Sequence, residues 1–281
     1  MGENMDRKIQ LIAADLDGTL MNEHKEISDR NWKAIEQAAK KGVKTVLATG
    51  RTLAVIPQNI AEHPLLRYGV CSNGAAVIEL KTGKIIYHNS LSKEKVMEIL
   101  KSLKGRDIHI DVFADGQAYT RHREEGLLVG YGVPEWMRKL VIESRTQVED
   151  FENFVINKAG QVERLNIFYK TKEEKEWLKE FLSQDKELAV VSSLFMNLEI
   201  SSVYANKGNG LRWLAGHLGI SMEQVMALGD SDNDITMLRM AGLGVAMENA
   251  AQEIKEAADE VTSSNEEDGV AQAIERWVLG W

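Results

Sequence analysis

The stretch that most constrains this chain is Asp15-Leu16-Asp17-Gly18-Thr19, which directly follows the apolar run Ile9-Gln10-Leu11-Ile12-Ala13-Ala14. A short apolar run that stops in acidic residues and then glycine reads as a buried parallel strand delivering carboxylates beyond its end. In open α/β sheets, ligands bind in the crevice outside the carboxyl ends of the strands. Two carboxylates two residues apart are costly to keep ionised side by side unless a cation holds them. The stretch therefore points to a metal-assisted site, with Asp15 at the strand end and Asp17 just past it. For these five residues alone an acidic turn or a helix cap is the competing reading, and the downstream sequence decides.

Downstream the same grammar repeats. Ser28 or Asp29 caps a helix with Trp32, Ile35 and Ala39 on its apolar stripe, ending at Gly42. The strand Val43–Ala48 ends in Thr49-Gly50-Arg51, again polar chemistry at a carboxyl end. A helix over 53–61, kinked or started late by Pro57, precedes a strand over 68–72 that closes on Asn73-Gly74. Residues 75–80 and 84–88 read as a hairpin. Later, Asn206-Lys207-Gly208 opens a helix with Leu211, Leu214, Ala215 and Leu218 on one face. A strand over 225–228 then runs into Gly229-Asp230-Ser231-Asp232-Asn233-Asp234. Further strands over 243–247 and 260–262 and a last helix carrying Val270, Ala273, Ile274 and Trp277 complete this part.

Between about Ser90 and Met196 the grammar changes. A helix bearing Val96, Ile99, Leu100 and Leu103 leads to strands over 108–114 and 117–120 around the hairpin signal Asp115-Gly116. A strand over 162–170 follows, then a capping box of Thr171 and Glu174 heading a helix that buries Trp177, Leu178, Phe181 and Leu182, then a strand over 188–192. No acidic cluster sits at these strand ends. The block is expected to be an inserted second domain spanning 90–194, with the main domain formed by 1–89 and 195–281 and the strand over 198–201 counted in the latter. The fold class is then α/β: a Rossmann-like, doubly wound parallel-sheet core with an inserted α/β cap.

Composition narrows the function. A formal net charge of −9 argues against a broad nucleic-acid footprint, so an anionic substrate must be drawn by a few local cations. The single cysteine, Cys71, reads as a small core residue and fits a reducing compartment. Met1 to Lys8 is short and charged with no apolar h-region, and no stretch reaches the ~18 apolar residues of a membrane span. A cytoplasmic protein is expected, with no membrane or nucleic-acid partner; oligomeric state is open.

Four polar clusters thus fall at strand ends or helix starts of one repeating unit: Asp15/Asp17, Thr49, Lys207 and Asp230/Asp234. A doubly wound sheet brings all four to one crevice. Several carboxylates suit a hard divalent ion, and Mg²⁺ usually takes one or two of them plus water and a phosphate oxygen. Lys207 and the Thr49 hydroxyl supply a charge and a donor for phosphoryl oxygens. Asp15 can then attack phosphorus, and Asp17 is placed to protonate the leaving oxygen and later activate water. Gly18 lets the backbone turn so that the second carboxylate need not bind the metal.

Other motifs fail in detail. Asp15-x-Asp17 and Asp230-x-Asp232-x-Asp234 resemble the start of an EF-hand loop, but the sixth position is Leu20 or Ile235 rather than glycine. Six scattered histidines and no cysteine pair argue against zinc. Gly208-Asn209-Gly210 lacks the third glycine of a dinucleotide fingerprint, and no P-loop is present. Asn233 replaces the second glycine of a nucleophile elbow. A receiver domain would place its Lys last, whereas Asp230 follows Lys207.

In the order Asp-x-Asp-Gly-Thr, Thr-Gly-Arg, Lys-Gly and Gly-Asp-x-x-Asn-Asp, the chain resembles the haloacid dehalogenase (HAD) superfamily. More closely it resembles the Cof-type sugar-phosphatase branch, with a large α/β cap between the second and third motifs. The likeness extends to Ser72-Asn73-Gly74-Ala75, to Val245-Ala246-Met247-Glu248-Asn249-Ala250 and to Val261-Thr262-Ser263-Ser264-Asn265. It implies Asp15 as nucleophile, Asp17 as acid/base, and Mg²⁺ held by the Asp15 carboxylate, the Asp17 backbone carbonyl and Asp230. It implies Asp234 supporting Lys207 or a metal-bound water, Asn233 near phosphate or substrate, and Gly50, Arg51 and Asn73 lining the crevice, with Asp232 a solvated carboxylate. The implied activity is hydrolysis of a small phosphorylated metabolite, sugar phosphates favoured. A phosphotransferase or phosphomutase, and a non-catalytic phosphometabolite-binding protein, are the alternatives. Arg121, His122 and Arg123 in the insert are candidate substrate readers, with a solvated basic loop as the competing reading.

Overall fold

The computed structural model describes residues 8–122, 125–192 and 196–281, which form two units. Residues 8–51, 56–87 and 206–281 make the first, and residues 52–55 and 88–205 the second. In chain order the strands are β1 (Leu11–Ala14), β2 (Lys44–Ala48), β3 (Leu66–Cys71), β4 (Ala76–Glu79), β5 (Lys84–His88), β6 (His109–Ala114) and β7 (Gln117–Thr120). They continue with β8 (Arg145–Gln147), β9 (Val162–Phe168), β10 (Leu188–Val191), β11 (Asn197–Ser202), β12 (Val225–Gly229), β13 (Leu243–Ala246) and β14 (Glu260–Val261).

The first unit is built on a sheet of order β14-β13-β12-β1-β2-β3-β4-β5. Pairings from β14 to β3 are parallel, and β4 turns antiparallel onto β3. Strand order runs outward from β1 through β2 and β3, then resumes on its other side through β12, β13 and β14. The reversal at β1 is where a doubly wound sheet opens a ligand crevice. Every residue of β1 is buried, as an all-apolar strand covered on both faces must be. On one face Leu11 and Ala13 join Val46, Val70, Leu211 and Ala227 in a core cluster. The helix Asp29–Lys40 is capped by Ser28, whose Oγ accepts the Asn31 N–H. Its inward positions are Ala34, Ile35 and Ala38, while Ala39, expected on the stripe, is exposed. Pro57 splits the expected helix over 53–61 into a 3₁₀ turn at Leu53–Val55 and a short helix Gln58–Ala61, because it disfavours helical geometry in the residue before it.

The second unit holds a sheet of order β10-β11-β9-β6-β7-β8, antiparallel except between β7 and β8. Helices Lys93–Leu103, Phe151–Lys158 and Lys172–Ser183 cover one face, with Val96, Val155 and Leu178 in one core cluster with Leu165 and Leu198 of the sheet. The Thr171/Glu174 capping box forms as expected. One expectation is corrected here. The strand over 197–202 pairs antiparallel with β9 (Leu198↔Ile167) and β10 (Ile200↔Val190), so it belongs to this sheet. The chain changes unit at Ala205/Asn206 rather than at 194/195. Its alternation, with Leu198 and Ile200 inward and Glu199 and Ser201 on the other face, is that of a strand with one apolar face, not of a parallel strand buried on both. The helices Glu125–Gly130 and Glu135–Glu143 and the strand β8 were not anticipated, because Gly130, Gly132 and Pro134 cut this stretch into short pieces. Among the described residues no helix is long and apolar enough to cross a membrane.

A buried ionic network ties β6 to β7 and β8. Asp111, without exposed surface, accepts from His109 Nε2 at 3.0 Å and from Arg145 Nε at 3.0 Å. Burial pushes the Asp111 carboxyl up, but His109 and Arg145 outweigh it and hold the group below the ordinary carboxylate range. A folded-state value depressed in this way contributes stability above the unfolded value of about 3.9, lost as pH falls through the lower folded value. Removing the guanidinium leaves a buried charge undercompensated. Arg145→Met is expected to destabilise by roughly 3 kcal/mol at neutral pH. The deficit should shrink in acid, once Asp111 is protonated with or without its partner; urea unfolding at several pH values measures both.

Candidate active site

All four strand-end clusters belong to the first unit. Asp15 extends β1 by one more ladder bond, its N–H donating to Leu228 O at 3.0 Å. It is 5% exposed and lies beside Lys207, whose Nζ donates to Asp15 Oδ1 at 2.8 Å and to Asp234 Oδ1 at 2.7 Å. Lys207 has no exposed surface. It opens the helix Lys207–His217, capped by Asn206 through its side-chain oxygen. Asp234 Oδ2 accepts the backbone N–H groups of Asp230 and Ser231, at 3.0 and 2.9 Å. Both Asp234 oxygens are therefore engaged in holding Lys207 and shaping the loop behind β12.

Asp230 follows β12 directly. Its Oδ1 accepts from the buried Thr19 hydroxyl at 2.7 Å and its Oδ2 from Ser231 Oγ at 3.1 Å. Gly18, at φ +76°, lies so close that a Cβ there would meet Asp230 Oδ2 at 2.4 Å. Glycine at this position thus answers both the left-handed turn and the approach of the second acidic loop. Oxygens of Asp15, Asp230 and Asp234 lie within 4.8 Å of one another.

The two acids of the first motif sit in opposite environments. Burial lifts Asp15 to about 7, against the pull of Lys207 and with a further push from Asp234. Burial likewise raises Asp230, with Asp234 adding to it. Burial also opposes ionisation of Asp17, but there Arg51 and Lys25 prevail and hold the carboxyl below its usual range. Arg51 grips it as a fork, Nε to Oδ2 and Nη2 to Oδ1, each at 2.7 Å, and Lys25 Nζ reaches Oδ1 at 3.1 Å. Three carboxylates around one ammonium leave the cluster short of positive charge. Asp15 and Asp230 are hard oxygen donors whose charged forms burial disfavours, so the donor set fits Mg²⁺. Asp17 has its side chain turned to Arg51 and Lys25, outside the acidic cluster.

The remaining expected residues lie around this cluster. Thr49 is buried at the end of β2, and its hydroxyl accepts the Arg51 N–H at 3.1 Å. Gly50 packs against Asn73, whose Oδ1 a Cβ would meet at 2.9 Å. Asn73 is left-handed at φ 54°, donates its N–H to Thr49 O, and accepts from Asn233 Nδ2 at 2.9 Å. Asp232 is exposed. In the second unit Arg121 and His122 are exposed and Arg121 pairs with Glu152, while Arg123 lies outside the described residues. Sequence reasoning missed Thr19, Ser231, Lys25 and Asn249, whose Nδ2 donates to Gly18 O at 2.9 Å. Thr19 and Ser231 adjoin the acidic motifs and could have been inferred as their supports. Nothing in the spacing of Lys25 marks it.

Among the described residues Lys207 is the one cation paired with Asp15 and Asp234, so removing it sets the two against each other in a low-dielectric site. Lys207→Met is expected to cost roughly 3–5 kcal/mol of stability in the presence of a chelator. Denaturant unfolding measures this, and a loss below about 0.5 kcal/mol would contradict the geometry.

Comparison with known proteins agrees with this arrangement. Residues 12–274 match the family model described as haloacid dehalogenase-like hydrolase. The chain is 34% identical to the phosphatase YwpJ of Bacillus subtilis, over 95% of this chain and 99% of that one. It is also 34% identical to YcsE of the same organism, named 5-amino-6-(5-phospho-D-ribitylamino)uracil phosphatase, over 98% of each. A solved haloacid dehalogenase-like hydrolase from Bacteroides thetaiotaomicron superposes with a TM-score of 0.77 at 28% identity, covering 96% of this chain and 99% of that one. The acidic cluster at the turning point of the sheet, the inserted cap and these likenesses together make the chain a member of the haloacid dehalogenase superfamily, and a phosphatase within it.

Proposed function

We propose that this phosphatase is Mg²⁺-dependent, hydrolyses a small phosphorylated metabolite through an aspartyl phosphate on Asp15, and belongs to the Cof-type branch. The observation that carries the reading is the divergence of two acids two residues apart. Asp15 is buried among carboxylates that call for a cation, while Asp17 stands aside under Arg51 and Lys25. A cation bound there, together with Lys207, would hold Asp15 as the carboxylate that a nucleophile must be, while Asp17 stays outside the cluster.

When bound, Mg²⁺ supplies the positive charge that lets a phosphate dianion approach a carboxylate. The Asp15 and Asp230 carboxylates and the Asp17 backbone carbonyl would hold it. An oxygen of Asp15 bonds to phosphorus while the bond to the leaving oxygen breaks, its electron pair staying with that oxygen, which takes a proton from Asp17 once Asp17, released from Arg51, has taken one up from solvent. A water then yields a proton to Asp17 and bonds to phosphorus, and the ester to Asp15 breaks. Lys207 and the Thr49 hydroxyl neutralise and orient phosphoryl oxygens; Gly50, Arg51, Asn73 and Asn233 line the approach. Asp234 supports Lys207. The inserted unit acts as the cap that chooses the leaving group.

Sugar phosphates are the favoured class, and the name of YcsE adds 5-amino-6-(5-phospho-D-ribitylamino)uracil to the candidates. A cytoplasmic setting fits the single, buried cysteine. Phosphate release from a panel of these esters, with and without a sugar acceptor, separates hydrolysis from transfer. Asp15→Asn is expected to lower turnover by about a thousandfold or more while melting near the wild type; unaltered turnover refutes the assignment. Mg²⁺ at a hundred times its dissociation constant is expected to add about 2.7 kcal/mol of stability. Calorimetry of Asp230→Ala should show most of that increment gone.

A further inference from the structure

Lys25 stands in a conformation that its own backbone does not favour. It lies at φ 62°, in the left-handed region that suits glycine or asparagine, within the tight turn 22–26. That turn is closed by Lys25 N–H to Asn22 O at 3.0 Å, Asn22 N–H to Glu26 O at 2.9 Å, and Glu26 N–H to Asn22 Oδ1 at 3.0 Å. It is also tied down from outside. Asn265 Nδ2 donates to Met21 O at 3.0 Å, the Glu23 N–H to Glu266 Oε1 at 2.7 Å, and Asn249 Nδ2 to Gly18 O at 2.9 Å.

What a lysine adds to such a turn is an ammonium on Asp17 Oδ1. The Lys25 side chain is 59% exposed, and ion pairs that wet contribute little to folding. Stability therefore does not account for a long cationic residue where the turn prefers a small one. The second cation on Asp17 is of another kind. Arg51 is a planar fork that matches a phosphate as well as it matches a carboxylate. It occupies both Asp17 oxygens, and an acid that must give and take a proton needs one of them released.

We propose that Lys25 is a positioning residue for Asp17: it keeps hold of Oδ1 when Arg51 turns to the incoming phosphate, so that Oδ2 faces the leaving oxygen. This rests on the hydrolase reading above, with Asp17 as proton donor. The anchored turn fixes where the ammonium sits, and the ammonium fixes the carboxyl plane. Losing Lys25 leaves Asp17 free to rotate at the moment its orientation matters, without removing a group from the phosphate site.

The consequence depends on the leaving group. An alkoxide needs a proton as its bond to phosphorus breaks, whereas a nitrophenolate leaves unaided. Values of kcat/KM, which report events up to the first irreversible transfer, are compared for a sugar phosphate and for 4-nitrophenyl phosphate. In Lys25→Met and Lys25→Gly the sugar phosphate is expected to lose roughly tenfold or more, with the aryl ester changed by less than about threefold. Lys25→Arg should recover most of the loss, and Lys25→Gly should melt no lower than the wild type. Equal losses on both esters would make Lys25 a phosphate-binding cation and overturn the proposal, as would no loss on either. If the wild type releases phosphate from no ester of the panel above, the hydrolase reading itself fails, and the positioning role falls with it.

Discussion

Lys207 is the hinge of this structure's chemistry. An ammonium with no exposed surface is held between Asp15 and Asp234, which follow the adjacent strands β1 and β12 where the sheet reverses. Taking a charge out of water on this scale is unfavourable unless its partners are in place. The helix start at Asn206, the end of β1 and the loop behind β12 must therefore be in register for the unit to fold as it does. Each is placed by backbone geometry: the Asn206 cap, the added ladder bond of Asp15, and the two N–H groups gathered by Asp234.

The same arrangement leaves a deficit that chemistry can use. One ammonium does not neutralise three carboxylates, and burial with Asp234 pushes the Asp15 carboxyl up to about 7, while Arg51 and Lys25 hold Asp17, two residues on, below its usual range. The separation follows from Gly18, whose left-handed turn sends the chain away from the cluster and admits Asp230 into the space a side chain would fill. One short stretch thus supplies a buried acid suited to a cation and an outer acid under the control of Arg51 and Lys25.

Much of this was legible in the sequence because strand ends are written contiguously. An apolar run that stops in Asp-x-Asp-Gly, Thr-Gly-Arg or Gly-Asp carries both the element and its cargo, and one sheet topology suffices to bring the cargoes together. Legibility failed where pairing partners are distant. The strand expected over 198–201 in the main domain pairs instead in the other sheet, and its alternation is that of a one-sided antiparallel strand. Thr19 and Asp230 are 211 positions apart, and no local pattern announces their hydrogen bond. Lys25 is more hidden still, since a lone lysine in a turn looks like any solvated one until its backbone angle and its partner are seen. In the second unit, short helices between glycines and a proline carry too little periodicity to read.

The account depends on Asp15 accepting the phosphoryl group. The most direct measurement is to quench Asp17→Asn in acid during turnover of a phosphate ester with Mg²⁺, digest the chain, and locate the phosphoryl group by mass spectrometry. The account expects it on Asp15, accumulated because the second acid can no longer activate water. Phosphoryl found on another side chain, or phosphate formed with the Asp15 peptide unmodified throughout, would contradict it.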